Sequence, residues 1–128
     1  MARPAVLDST AILAVLFNQP GSDAVLSVLE GGLLSTVNLA EVHARLLLRG
    51  AGSDFAWRRM IDLGCEICAF DERDARVAAE LIAQTRRFNL SLGARACLAL
   101  AIERKATVYT TDHRWKNLGL GVELEVIR

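Results

Sequence analysis

The stretch Ala5-Val6-Leu7-Asp8-Ser9-Thr10-Ala11-Ile12-Leu13 decides how the chain is read. An apolar run stops at an acid, two hydroxyl residues follow, and apolar residues resume. The run reads as a buried strand ending at Asp8, and Ser9-Thr10 offers capping chemistry for a helix over residues 11–18. The figure returns further along. Glu66-Ile67-Cys68-Ala69-Phe70 ends at Asp71, and Thr107-Val108-Tyr109-Thr110-Thr111 ends at Asp112. Leu33-Leu34-Ser35 is too short for a helix and makes another strand, with a last one over residues 123–127 at a sheet edge.

Helical stretches fill the intervals. Ser22 reads as the N-cap of a helix reaching residue 30, Ser53 of one over 54–63, and Ser91 of one over 92–105. Residues 37–49 carry Leu39, Val42 and Leu46 at helical spacing, and residues 72–87 carry Val77, Leu81 and Ile82. The run Ala96-Cys97-Leu98-Ala99-Leu100-Ala101-Ile102 is apolar on nearly every side, which places that helix in the interior. A short helical turn is expected over 113–118. Strands alternating with helices imply an α/β chain with a mainly parallel sheet covered on both faces. A length of 128 residues suits one domain, residues 1–128, with a core that needs no staple.

Composition narrows the function. The chain is 52% hydrophobic and 23% charged, which is globular and not disordered. Fifteen basic and fifteen acidic residues cancel, which argues against a protein that grips nucleic acid over its whole surface while allowing a basic rim. Met1-Ala2-Arg3-Pro4 runs into the first strand without a secretory leader, and no apolar stretch approaches the ~20 residues of a membrane span. The expectation is a cytoplasmic protein with no membrane contact. Cys65, Cys68 and Cys97 are odd in number, and residues three apart on a strand face opposite ways, so Cys65 and Cys68 read as core residues and not as a redox or zinc pair.

Ligands of open α/β sheets bind at the carboxyl ends of strands, where Asp8 and Asp112 stand. Each alone also fits a turn or a helix cap. Together they say more, because their strands can be neighbours. Glu41 interrupts an apolar helix; it reads equally as a site acid or as a surface partner of Arg45 at i+4. Clustered carboxylates call for a compensating cation, and a hard one with oxygen ligands, Mg²⁺, suits phosphodiester hydrolysis. His43 and His113 show no zinc-ligand pattern, His43 reads as a surface or interface residue, and no nucleophile elbow, Walker loop or dinucleotide fingerprint occurs. A receiver-like domain wants paired acids after its first strand, and a dehalogenase-type phosphatase wants Asp-x-Asp; the chain has Asp8-Ser9-Thr10.

Four segments carry a resemblance: Val6 to Leu13, Ser35-Thr36-Val37-Asn38-Leu39-Ala40-Glu41-Val42, Leu90-Ser91-Leu92-Gly93-Ala94-Arg95 with the apolar run after it, and Val108-Tyr109-Thr110-Thr111-Asp112-His113-Arg114-Trp115. In this order they resemble the PIN-domain family, and within it VapC-type toxins of bacterial toxin–antitoxin pairs. The resemblance implies a three-layer α/β/α sandwich and a Mg²⁺-dependent endoribonuclease, with Mn²⁺ as a substitute, acting on RNA such as tRNA. It assigns Asp8, Glu41 and Asp112 as metal-site acids and Thr110 as a supporting hydroxyl, with Ser9 in a similar place. It also implies a VapB-type antitoxin and a homodimer, for which Leu46, Leu47, Leu48, Phe55, Trp57 and Met60 are either contact surface or core.

The chain departs from that pattern at Ala94, which fills the slot of an acidic metal ligand. Natural degeneracy and an inactivating substitution compete as explanations; the intact motif around Ala94 favours the second. Either way, loss of nuclease activity is expected. A PIN fold kept only for binding or autoregulation is the alternative. Arg86, Arg87, Arg95, Arg114 and Lys116 are candidate phosphate contacts or plain surface charge, and Trp115 a candidate base stacker or core residue.

Overall fold

A computed structural model describes residues 3–128; the reading of Met1-Ala2 as a leaderless opening lies outside the described residues. Five strands, β1 (Ala5–Leu7), β2 (Leu33–Ser35), β3 (Glu66–Cys68), β4 (Thr107–Thr110) and β5 (Glu123–Val126), form one sheet in the order β3-β2-β1-β4-β5. Every pairing is parallel. Six helices cover it: α1 (Ser9–Leu16), α2 (Ser22–Leu29), α3 (Thr36–Leu48), α4 (Ser53–Ile61), α5 (Glu72–Thr85) and α6 (Leu92–Arg104).

Alternation along the strands sorts side chains into two cores. Val6, Leu33, Cys68 and Val108 pack with Leu81, Leu98 and Trp115, on the side of α5 and α6. Leu7 and Leu34 pack with Ile12, Val25, Leu39, Val42 and Met60, on the side of α1 to α4. This is the three-layer α/β/α arrangement. Cys65 lies against the second core and Cys68 in the first, so the two thiols diverge as the strand reading requires, and all three cysteines are free. Burial pushes the Cys65 thiol up to about 11.

The strand order reverses direction beside β1, which makes the cleft between the carboxyl ends of β1 and β4 the switch point of the sheet. Helix α6 is buried from Ala96 to Ala101, as its uniform apolarity requires.

Several boundaries differ from the sequence reading. The cap of α1 is Asp8, whose Oδ1 accepts from the Ala11 amide at 2.8 Å, and not Ser9-Thr10. Gly21 and Gly52 occupy the N-cap positions expected for Ser22 and Ser53. The freed Ser53 hydroxyl lies 3.2 Å from Nε2 of His43, whose ring packs edge-on against Trp57. Strand β3 stops at Cys68, because the Phe70 amide turns to the Thr36 hydroxyl at 3.0 Å. The inward face of α5 is Asp74, Ala78, Leu81 and Thr85, while Ile82 is exposed. Small residues face inward there because α6 lies close: Arg95 Nη1 donates to the Ala78 carbonyl at 2.9 Å. Among the large apolar residues of α3 and α4, Met60 belongs to the core, whereas Leu47, Leu48, Phe55 and Trp57 are exposed. Among the described residues no helix is long and apolar enough to cross a membrane.

Candidate active site

Parallel pairing of Leu7 with Tyr109 brings Asp8 level with Thr110, two residues before Asp112, and both acids line one cavity. Asp8 is 4% exposed, and both of its oxygens are held. Thr10 Oγ1 donates to Oδ1 at 2.6 Å, and Thr110 Oγ1 donates to Oδ2 at 2.6 Å. Thr110 Oγ1 in turn accepts from the Asp112 amide at 3.1 Å, and Thr10 Oγ1 accepts from the Thr111 amide at 3.0 Å. This ladder ties the end of β1 to the end of β4. Burial raises the pKa of Asp8 above its ordinary 3.8; the two threonines and the Ala11 amide pull it back, and the charge of Glu41 adds to the rise. A buried carboxyl of this kind keeps a proton that the unfolded chain has already released. Its contribution to stability therefore falls as pH rises from 3.8 towards the raised value.

Asp112 caps a short helical turn, His113–Asn117, and Arg114 closes on it. The guanidinium donates from Nη2 to Oδ2 at 2.7 Å and from Nε to Oδ1 at 3.1 Å, which holds the carboxyl below the usual range. Asp8, Asn38, Ser91, Ala94, Asp112 and Arg114 are among the residues lining one cavity of about 200 Å³. Thr110 stands beneath it, fully buried.

Glu41 is not part of that lining but is joined to it through Asn38, whose Nδ2 donates to Glu41 Oε1 and to the Gly93 carbonyl, both at 3.0 Å. Among the described residues no ion pair links Glu41 to Arg45, so the surface-pair reading of Glu41 gives way. The Glu41 carboxylate lies on the backbone of α6: a Cβ added at Gly93 would meet Oε2 at 2.2 Å. Below the acids, Cys97 is fully enclosed, and burial first, then the charges of Asp8 and Glu41, push its thiol well up. The acids thus share one neighbourhood, although no three His, Cys, Asp or Glu side chains converge as a ready ion-binding group among the described residues.

Gly93→Ala tests that packing. The displaced atoms are the end of a flexible side chain, and alanine is a better helix former by about 1 kcal/mol, so stability should hardly change. The Asn38–Glu41 hydrogen bond should break, read as a shift of the Asn38 side-chain amide signals in nitrogen-15 NMR.

Sequence reasoning missed Asn38, Thr10 and Gly93. The signal for Asn38 was its place three residues before Glu41 on one helix. Trp115 is 3% exposed and belongs to the core, and it also lines the cavity. Arg95 braces the Ala78 and Leu90 carbonyls instead of facing the cavity.

A family model for the PIN domain matches residues 5–120. The chain belongs to the PIN-domain family. No curated protein matches the sequence. Among solved structures, the PIN fold here resembles FitAcB from Neisseria gonorrhoeae with a TM-score of 0.72 and 24% identity, over 94% of this chain and 95% of that one. A toxin–antitoxin complex from Klebsiella pneumoniae gives 0.71 and 15%, over 97% and 98%. VapC20 of Mycobacterium tuberculosis, described as a Sarcin-Ricin loop cleaving toxin, gives 0.72 and 12%, over 90% and 95%. At such identities the likeness is one of fold.

Proposed function

We propose that this PIN protein is a single-domain VapC-type endoribonuclease toxin, Mg²⁺-dependent in its active form and disabled here by Ala94. The observation that carries the reading is that Asp8 and Asp112, from the ends of β1 and β4, line one cavity at the switch point together with Ala94 of α6. The residues present fit a hard cation. Mg²⁺ takes one or two carboxylates and keeps most of its water. Asp8 Oδ2 accepts only one hydrogen bond, so it has a lone pair to offer, and Asn38 Oδ1 is a buried oxygen without a donor. Such an ion would supply Lewis-acid stabilisation of a phosphoryl oxygen and an acidified water.

The chain's own residues do the remaining work. Thr10 and Thr110 fix the Asp8 rotamer, Asn38 fixes Glu41, and Arg114 neutralises Asp112 until a cation or phosphate draws it away. RNA, such as tRNA, is the substrate class, and the protein works in the cytoplasm as a homodimer neutralised by a VapB-type antitoxin. Exposed Leu48, Phe55, Trp57 and Ile61 support a protein-binding face on α3 and α4.

Manganese titration of metal-stripped Ala94→Asp protein tests the metal assignment. Binding should appear, and Asp8→Asn and Asp112→Asn should each weaken it by about 10-fold or more. Absence of any binding heat in the Ala94→Asp protein overturns the assignment. A second reading, a PIN fold retained for complex formation alone, draws on Ala94 and on the Arg114 clasp over Asp112; it requires that the acid-restored protein stay inert towards RNA.

A further inference from the structure

Asn38 is 1% exposed, and its carboxamide has a forced orientation. Both Nδ2 protons are used, one on the Glu41 carboxylate and one on the Gly93 carbonyl. Flipping the amide would set Oδ1 against two acceptors, so the assignment of oxygen and nitrogen follows from the neighbours. Oδ1 is left buried with no donor among the described residues. An unmet buried acceptor is costly, and native interiors rarely keep one without use. A purely structural clamp on Glu41 would not need this oxygen, since a donor-only side chain makes the same two bonds. Asn38 and Ala94 line the same cavity, together with Asp8 and Asp112.

We propose that Asn38 has two tasks: its amide nitrogen clamps Glu41 to the backbone of α6, and its carbonyl oxygen is a neutral ligand for the divalent cation of this cavity. The inference rests on the metal-dependent reading above and adds a residue to it. A carboxamide oxygen is a hard donor that raises the ligand count without adding to the repulsion between carboxylates. Asn38 shares the cavity lining with Ala94, the position from which the acid is missing.

The test uses the full chain as Ala94→Asp, with Mn²⁺ as the probe and binding followed by electron paramagnetic resonance. Asn38→Leu should weaken Mn²⁺ binding by about 10-fold or more while cooperative unfolding of the metal-free protein persists. With asparagine labelled by carbon-13 at Cγ, the bound Mn²⁺ should show a carbon-13 hyperfine coupling. That coupling should survive Asn89→Ala, which removes the other asparagine of the cavity, and vanish in Asn38→Leu. Unchanged affinity in a folded Asn38→Leu protein, or no coupling from Asn38, overturns the ligand role. Should Asn38→Leu fail to fold, the labelled Asn89→Ala protein decides alone. If the Ala94→Asp protein binds no Mn²⁺ at all, the metal reading falls and this inference with it; if it binds and Asn38 makes no difference, only the inference falls.

Discussion

Ala94→Asp raises Mg²⁺-dependent RNA cleavage by at least about 100-fold over the present chain, the upper end of what losing even an outer partner of a metal ligand costs. The local structure is ready for the change. Ala94 is the third residue of α6, and its amide already donates to the capping Ser91 Oγ at 3.2 Å. An acid there suits the positive end of the helix and can complete a capping box with Ser91. Its charge also faces Asp8 and Asp112 across the cavity, so the metal-free protein gains repulsion that a cation removes. Two controls separate charge from shape. Ala94→Asn, of the same size, should restore little, and a chelator should return the Ala94→Asp protein to background. Binding of Mn²⁺ without cleavage of any RNA by the Ala94→Asp protein would refute the enzyme reading and leave the binding module.

Gly21→Ala should destabilise the fold by about 2–3 kcal/mol, the largest loss expected from any single methyl in this chain. Gly21 has φ +92°, a left-handed conformation unfavourable to side chains, and a Cβ there would lie 2.2 Å from the Ile127 carbonyl oxygen. The Ile127 carbonyl group is backbone, so it cannot swing aside as a side chain would without moving the chain itself. The turn is also where the chain end docks: Arg128 Nε donates to the Pro20 carbonyl at 3.2 Å, and its Nη2 donates to the Gln19 side chain. Gly50→Ala supplies the reference. Its φ is +95°, yet an added Cβ meets nothing within 4 Å, so it carries the backbone strain without the collision. Denaturant unfolding of both variants should give a clearly greater loss for Gly21→Ala. Equal losses would mean that strain alone operates and that the tail is free to lift away.

The strand-end acids were legible because a β-branched or apolar run stopped by Asp is a local pattern, and the switch point then follows from strand alternation. Thr110 entered through resemblance, and the structure gives it a physical task, holding Asp8 Oδ2. Asn38 was not legible in that role. Its unpaired oxygen exists only because α6 brings the Gly93 carbonyl to its nitrogen, a meeting of residues 55 apart. The same holds for the Arg114 clasp, which depends on the helical turn that starts at Asp112. Glycine N-caps shifted two helix starts by one residue, since a serine next to a glycine gives the stronger local cue while the backbone takes the glycine. On α5 the spacing placed Leu81 and Val77 correctly against the core but not Ile82, which is exposed, and it missed Ala78 and Thr85, which the close approach of α6 selects.

The ladder between Asp8 and Thr110 joins residues 102 positions apart. A chain growing from its amino end therefore makes Asp8, and later Glu41, long before their counterparts on β4 exist. Until Thr107–Thr110 has slotted in beside β1, the growing polypeptide has only part of the pocket. Assembly awaits this late, sequence-distant pairing, a slow class of folding event. For a protein of this proposed kind, synthesis itself would then give a partner time to arrive before there is anything to inhibit.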